Sequence, residues 1–386
     1  MQKEKGRIQV GHVPAQRNTN LELFRIITML LIVAHHYVVN SGLMGTNSPM
    51  QTNPSSLRTV FLYLFGAWGK TGINCFVLIS GYFMCTSRIT AKKFAKLLLE
   101  VEFYKIVIYL IFMVTGYEPF SVSGFIKAIL PVTSVAQGFT GCYLLFYLLI
   151  PFLTVTVQHT SQKQHLKLIL VLGFIYIILG TLLGANVQMN YVTWFVVLYF
   201  IAAYVRLYPN AVFENTKLWA FLAASAVAVS VASIVGFHYI GMRIGGVNAY
   251  SFMTDSNKIL AFATAFCGFM FFKNVQVKQS KLINTVAASC FGVLLIHAGS
   301  SAMRRFLWVD LLCVKNIYDS PFMFLHAIGC VFGIYAVCTA IDYLRIRFVE
   351  KPFFRLWDKH WGKIAEKYIL LEDRICKKLG IDTNAK

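Results

Sequence analysis

Charge is scarce in this 386-residue chain: Asp, Glu, Lys and Arg together make up 13% of it, about half the usual share of a soluble domain. A soluble body of this length needs more polar residues to cover its surface, so a soluble globular enzyme is excluded. The nine cysteines form no CxxC pair and no Cys/His cluster at metal-ligand spacing. That argues against a disulfide-stapled scaffold and against a zinc or other metal site. Cys267, Cys290, Cys330 and Cys338 fall in apolar runs, where cysteine behaves as a small hydrophobe. The 26 Gly and 9 Pro are spread thinly, which excludes a collagen-like repeat. Low-complexity tracts, a soluble second domain and a convincing internal repeat are also missing. No cleavable leader is expected, because a polar stretch of ~20 residues precedes the first apolar run and no small-residue cleavage site follows it.

What the chain does have is apolar length. Hydrophobic residues make up 57% of it and the mean hydropathy is +0.62, which excludes disorder. Runs long enough to cross ~30 Å of hydrocarbon recur at 21–39, 66–85, 97–115, 139–157, 168–184, 191–208, 218–237, 257–272, 285–303 and 322–346. The pattern predicts an all-α polytopic membrane protein with about ten transmembrane helices. The short run 125–132 reads as a re-entrant or interfacial piece.

Charge placement orients these spans. The formal charge is +20, and nucleic-acid binding is not expected, since no soluble domain carries a basic stripe. Under ten spans, 26 Lys and Arg fall on the face of the two termini and 6 on the other. Cytoplasmic loops collect Lys and Arg, so both termini are expected in the cytoplasm. The chain then divides into a cytoplasmic N-terminal segment (1–20), a membrane domain (21–346) and a basic tail (347–386). In the tail Phe354, Trp357, Trp361, Ile364, Tyr368, Ile375 and Leu379 recur at helical spacing between charged residues, the pattern of an amphipathic helix on the inner membrane surface.

The first span holds the strongest local signal, Asn20-Leu-Glu22-Leu-Phe-Arg25, followed after nine more residues by His35-His36. Ionisable groups at such depth are costly and mark interior or wet sites. His36 follows Arg25 by eleven residues, about three helical turns, so the two share a face roughly 16 Å apart along the axis. Glu22, three residues before Arg25, can pair with it. His35 sits about a quarter-turn away. A plainer reading has Arg25 snorkelling to the interface and the histidines bonding neighbouring helices.

Several stretches together resemble the acyltransferase 3 family of polytopic membrane enzymes. They are the Arg25-x10-His36 pattern, Gly72 to Phe83 ending in Ser80-Gly81-Tyr82, the Tyr-rich helices that end before Pro151 and Pro209, Phe291 to His297, and Glu350-Lys351-Pro352 after the last span. Where glycan-modifying members often carry an aromatic pair ahead of the 144–151 helix, this chain has Gly141-Cys142.

The resemblance implies transfer of an acyl group, most often acetyl from acetyl-CoA, to a hydroxyl of a cell-envelope polysaccharide or lipid-linked glycan. The setting is a multi-pass protein of the plasma (inner) membrane, with acyl-CoA, glycan and lipid bilayer as partners. An alcohol needs a base to take its proton, and histidine suits that task near neutral pH. His36 is therefore the expected general base or transient acyl carrier. Arg25 is suited to a CoA phosphate or to orienting the thioester, with Arg88, Lys92 and Lys93 as further phosphate ligands or, alternatively, positive-inside charges. Glu22, His35, Tyr82, His297 and Glu350 are accessory candidates, Glu350 also being placed to pair with Lys351 or Arg347. The rival class is a transporter or flippase that uses the Arg25/His36 stripe as a proton or substrate path.

Overall fold

The computed structural model describes residues 18–136, 138–182, 185, 187–362 and 374. Every regular element among them is helical. Eleven helices carry the architecture: α1 (Thr19–Val39), α2 (Leu57–Met84), α3 (Ala91–Val114), α4 (Val122–Ile129), α5 (Phe139–His159), α6 (Gln162–Leu179), α7 (Tyr191–Leu207), α8 (Thr216–Ile244), α9 (Ile259–Asn274), α10 (Lys281–Ala298) and α11 (Met323–Gly362). Seven of these are long and apolar enough to cross a membrane: α1, α2, α5, α6, α8, α10 and α11. The apolar helices α7 and α9 are shorter, and α3 is long but carries Lys92, Lys93, Lys96, Glu100, Glu102 and Lys105.

Polar residues set many of the starts. Asn18, Thr90, Ser121, Ser161, Asn190, Asn215 and Ser280 each accept a backbone N–H of the first turn that follows them. These groups would otherwise be orphaned in an apolar medium. The start of α1 is also tied to the segment after α9: Asn20 Oδ1 accepts from Val277 N at 2.9 Å, and Thr19 Oγ1 donates to Gln279 Oε1 at 2.7 Å.

The protein has a buried centre and a greasy outside. Along α7, Tyr191, Trp194, Phe195, Leu198 and Tyr199 are buried. Trp194 Nε1 donates to Asn74 Oδ1 at 2.8 Å, and Asn74 Nδ2 donates to the Ser256 carbonyl at 2.7 Å, so this polar group at the core is satisfied. Outward, Leu148 and Phe152 of α5, Leu170 and Val171 of α6, Phe221 and Val229 of α8, and Leu325 and Phe332 of α11 are exposed. Apolar side chains facing out from several helices are what a lipid environment calls for, and the protein is a multi-pass membrane protein.

Glycine sets how closely α1 and α2 approach. A Cβ on Gly66, Gly69 or Gly72 would lie 2.8, 2.3 and 2.6 Å from Val38, His35 and Ile32 of α1. Three glycines at i, i+3 and i+6 thus form a groove into which α1 presses.

The expected boundary between the last span and the tail, at 346–347, falls inside one helix that runs from Met323 to Gly362. Its turn over Ile346–Glu350 is wider than an α-turn. Pro352 has no N–H, and its ring crowds the carbonyl four residues back, which favours loosening there. Trp357 and Trp361 stack at 4.3 Å. Ile364, Tyr368, Ile375 and Leu379 of the predicted amphipathic tail lie outside the described residues, as do residues 1–17.

Candidate active site

His35 and His36 sit in the last turns of α1, and different neighbours hold them. His35 Nδ1 donates to the Gly66 carbonyl at 2.6 Å. The helical pattern of α2 is interrupted at Ala67–Trp68, which leaves that carbonyl in need of a donor. With Gly69 beneath its ring, His35 locks α1 to α2.

His36 Nδ1 lies 2.9 Å from His297 Nε2, and His297 Nδ1 lies 2.6 Å from the Val293 carbonyl. The donor directions follow from the last acceptor. A carbonyl only accepts, so His297 carries its proton on Nδ1 and, when neutral, has a lone pair on Nε2. That lone pair accepts from His36 Nδ1–H. The remaining nitrogen of a neutral His36, Nε2, then holds a lone pair with no hydrogen-bond partner among the described residues. His297 is fully buried and His36 is half-buried.

His36 lines a cavity of about 720 Å³, a volume within the usual range for small-molecule sites. Met29, Ile32, Tyr104 and Ile108 contribute from the middle of α1 and α3. Lys70 contributes from the middle of α2, just past its interruption, and Phe112, Gly141, Tyr191 and Ala298 from helix ends remote from Asn18. The amphipathic α4 supplies Gly124, Lys127 and Ala128. The cavity therefore occupies the half of the bundle away from the start of α1 and the end of α11.

Other candidates from the sequence lie elsewhere. Arg25 pairs with buried Glu22 at 3.4 Å and does not contribute to the cavity wall. It lies toward the opposite end of α1, and its side chain is a quarter exposed. Arg88, Lys92 and Lys93 are also toward that end. Lys92 pairs with Asp358 of α11 at 2.5 Å, and Lys93 Nζ donates to the Arg88 carbonyl at 2.8 Å. Tyr82 accepts from Arg206 Nη1 at 3.0 Å.

Glu350 is buried and bonds Arg345 Nη1 at 2.9 Å and Lys96 Nζ at 2.6 Å, not Lys351 or Arg347. The wide turn explains this choice. Residues five apart fall on different faces of an α-helix but close one turn in a π-helix. Arg345 also reaches Asp342 at 2.7 Å and Glu100 at 3.2 Å. Tyr104 OH, a cavity residue, donates to Asp342 Oδ1 at 2.8 Å.

Four residues to which the sequence pattern assigns no part in a site are also on the cavity wall: Arg304, counted only among the charges that orient the spans, Lys70 and Lys105, which fall within spans, and Tyr191. Lys70 donates to Tyr191 OH at 2.7 Å and pairs with Asp255 at 3.4 Å. Charged residues inside apolar runs were the available signal for both lysines.

Taken together, the site offers an oriented imidazole at the wall of a cavity of about 720 Å³ in a helical membrane protein. Such a group can take a proton from a hydroxyl. No curated protein and no solved structure matches the chain. The model of the acyltransferase domain family, acyltransferase 3, matches residues 18–343, and the chain therefore belongs to that family of membrane acyltransferases.

Proposed function

We propose that this acyltransferase moves an acetyl group from acetyl-CoA to a hydroxyl of a cell-envelope polysaccharide or lipid-linked glycan, with His36 as general base. The observation that carries the reading is the hydrogen-bonded run from Val293 through His297 to His36, ending at the cavity. His36 Nε2 takes the acceptor's hydroxyl proton as the oxygen attacks the thioester carbonyl carbon. The tetrahedral intermediate then expels the thiolate, and His36 Nε2–H returns the proton to sulfur, giving the acetyl ester and free CoA. His297 is a positioning residue: its lone pair fixes the ring and stabilises the imidazolium while the proton is held.

On this reading the donor enters from the end that carries Arg25. The guanidinium, with Arg88, Lys92 and Lys93, takes CoA phosphates, and the pantetheine arm spans the ~16 Å to His36. The phosphate replaces Glu22 as the partner of Arg25. The chain crosses the plasma membrane ten times, using α3, α7 and α9 besides the seven long apolar helices, with both termini cytoplasmic. The 26-to-6 distribution of Lys and Arg supports that orientation.

Labelled acetyl-CoA incubated with purified protein and glycan acceptors tests the proposal. His36→Ala is expected to lower transfer by about 10²-fold or more while the protein stays folded. Wild-type-like transfer by that variant removes His36 from the role. Glycan flux into liposomes without donor favours a transporter instead.

A further inference from the structure

The cavity wall is unevenly charged. Four cations line it, Lys70, Lys105, Lys127 and Arg304, against one carboxylate, Glu118. Two of the four have carboxylate neighbours: Lys70 pairs with Asp255 at 3.4 Å, and Lys105 lies 4.0 Å from Glu102. Among the described residues, neither Arg304 nor Lys127 has a carboxylate within salt-bridge distance.

Arg304 is the more telling of the two. It sits in the short helical turn Ser301–Arg305, seven residues after His297, and is half-buried. Nη1 donates to the Ala298 carbonyl at 2.8 Å and Nη2 to Ser301 Oγ at 3.0 Å. Both bonds are to neutral acceptors. They fix the plane of the guanidinium and leave three of its five N–H donors uncommitted. A half-buried guanidinium without a counter-charge, beside an imidazole pair in a membrane protein, is a costly arrangement. Closing the α10 C-terminus would need only the Ala298 contact. An anion delivered into the cavity would use the free donors, and guanidinium binds phosphate and carboxylate through two parallel bonds.

We propose that Arg304, assisted by Lys127 on α4, forms an anion subsite beside His36 that binds a phosphate or carboxylate carried by the acceptor, so that the acceptor is an acidic glycan. This deepens the acyl-transfer reading and rests on it for the identity of the bound molecule as acceptor. The subsite lies in the same cavity as His36 and away from the Arg25 end, which assigns it to the acceptor and not to the CoA phosphates.

The test is binding to the full-length protein in nanodiscs, followed by tryptophan fluorescence and thermal stability. Three probes share an octyl chain and differ in charge: octyl glucoside, octyl glucuronide and octyl glucoside 6-phosphate. The two anionic probes are expected to bind wild type at least tenfold more tightly than the neutral one. Arg304→Gln should erase that preference and leave neutral binding unchanged. Arg304→Lys should keep part of it, and Lys127→Gln should weaken anionic binding two- to fivefold.

Equal binding of neutral and anionic probes by wild type overturns the proposal, and that measurement needs no variant. So does an Arg304→Gln protein that loses neutral and anionic binding alike, because the residue then serves only to close the helix. Displacement of the anionic glycosides by free CoA assigns the subsite to the donor. Displacement by phosphatidylglycerol, compared with phosphatidylcholine discs, assigns it to a lipid headgroup. Either result overturns the acceptor assignment. Repeating the binding in His36→Ala separates this inference from the catalytic one: the anionic preference should survive there even if the general-base role fails.

Discussion

At the scale of single residues, a carbonyl oxygen fixes the chemistry offered at the site. Val293 accepts from His297 Nδ1, which turns His297 Nε2 into an acceptor for His36 and leaves His36 Nε2 with no hydrogen-bond partner among the described residues. On the proposed mechanism His297 has a role that a merely structural residue would not have. His297→Leu removes the acceptor and is expected to lower kcat by about 10²-fold, with the acceptor KM within about twofold. His297→Gln, whose side-chain oxygen can accept from His36 Nδ1–H, should recover part of the loss. Steady-state kinetics of the two variants, each checked by thermal unfolding, decide it; equal activity of Leu and Gln variants would show that the bond does not matter. His35 has a different task despite being adjacent. Its proton goes to Gly66 and its ring fills the groove above Gly69, so the histidine pair divides into one member that faces the partner imidazole and one that fastens helices.

At the scale of elements, close helix contacts and buried ions hold the bundle where lipid provides no hydrophobic drive between helices. The glycine groove of α2 brings α1 close. At the other side, Arg345 of α11 reaches Glu100 of α3 and holds Asp342 and Glu350 of its own helix, which in turn meet Tyr104 and Lys96 of α3. Breaking one partner of such a network strands the others as buried charges, at a cost of about 3–5 kcal/mol. Arg345→Ala should therefore lower the thermal midpoint sharply. Adding Glu100→Gln to that variant should restore part of the loss, because one stranded carboxylate is neutralised. The exposed Lys92–Asp358 pair is a contrast, worth about 0.2–1 kcal/mol, so Asp358→Asn should barely move the midpoint. A network whose removal cost no more than the surface pair would mean that α3 and α11 are held by apolar packing alone.

At the scale of the molecule, the proposed orientation places the cavity on the face opposite both termini. Single cysteines introduced into a cysteine-free background report this through a membrane-impermeant maleimide applied to intact cells. Residues 47 and 118 should label from outside, whereas 163 and 278 should label only after the membrane is opened. Labelling of 163 in intact cells would contradict ten spans with cytoplasmic termini.

Much of this plan is legible along the chain. Long apolar runs specify membrane helices because the backbone must satisfy itself in hydrocarbon. Asn18, Ser161, Asn190 and Ser280 mark starts because their short polar side chains accept the first orphaned N–H groups. The first helix declares itself by carrying Glu22, Arg25, His35 and His36 where apolar residues are cheaper. Glu350-Lys351-Pro352 is visible as a motif, but the partners of Glu350 are not, since Arg345 reaches it only through a widened turn, and Lys96 lies some 250 residues away.

The sequence by itself determined that this is a helical membrane protein of the acyltransferase 3 family, because composition, apolar length and the order of short motifs are properties of the linear chain. The tertiary structure alone decided that His36 meets His297 across 261 positions, that Arg25 stands away from that meeting, and that Arg304 and Lys127 share a wall with it. Periodicity reports which residues share a face of one helix. Which faces of different helices come together is set by close packing, here by glycines and buried ion pairs, and that packing exists only in the folded chain.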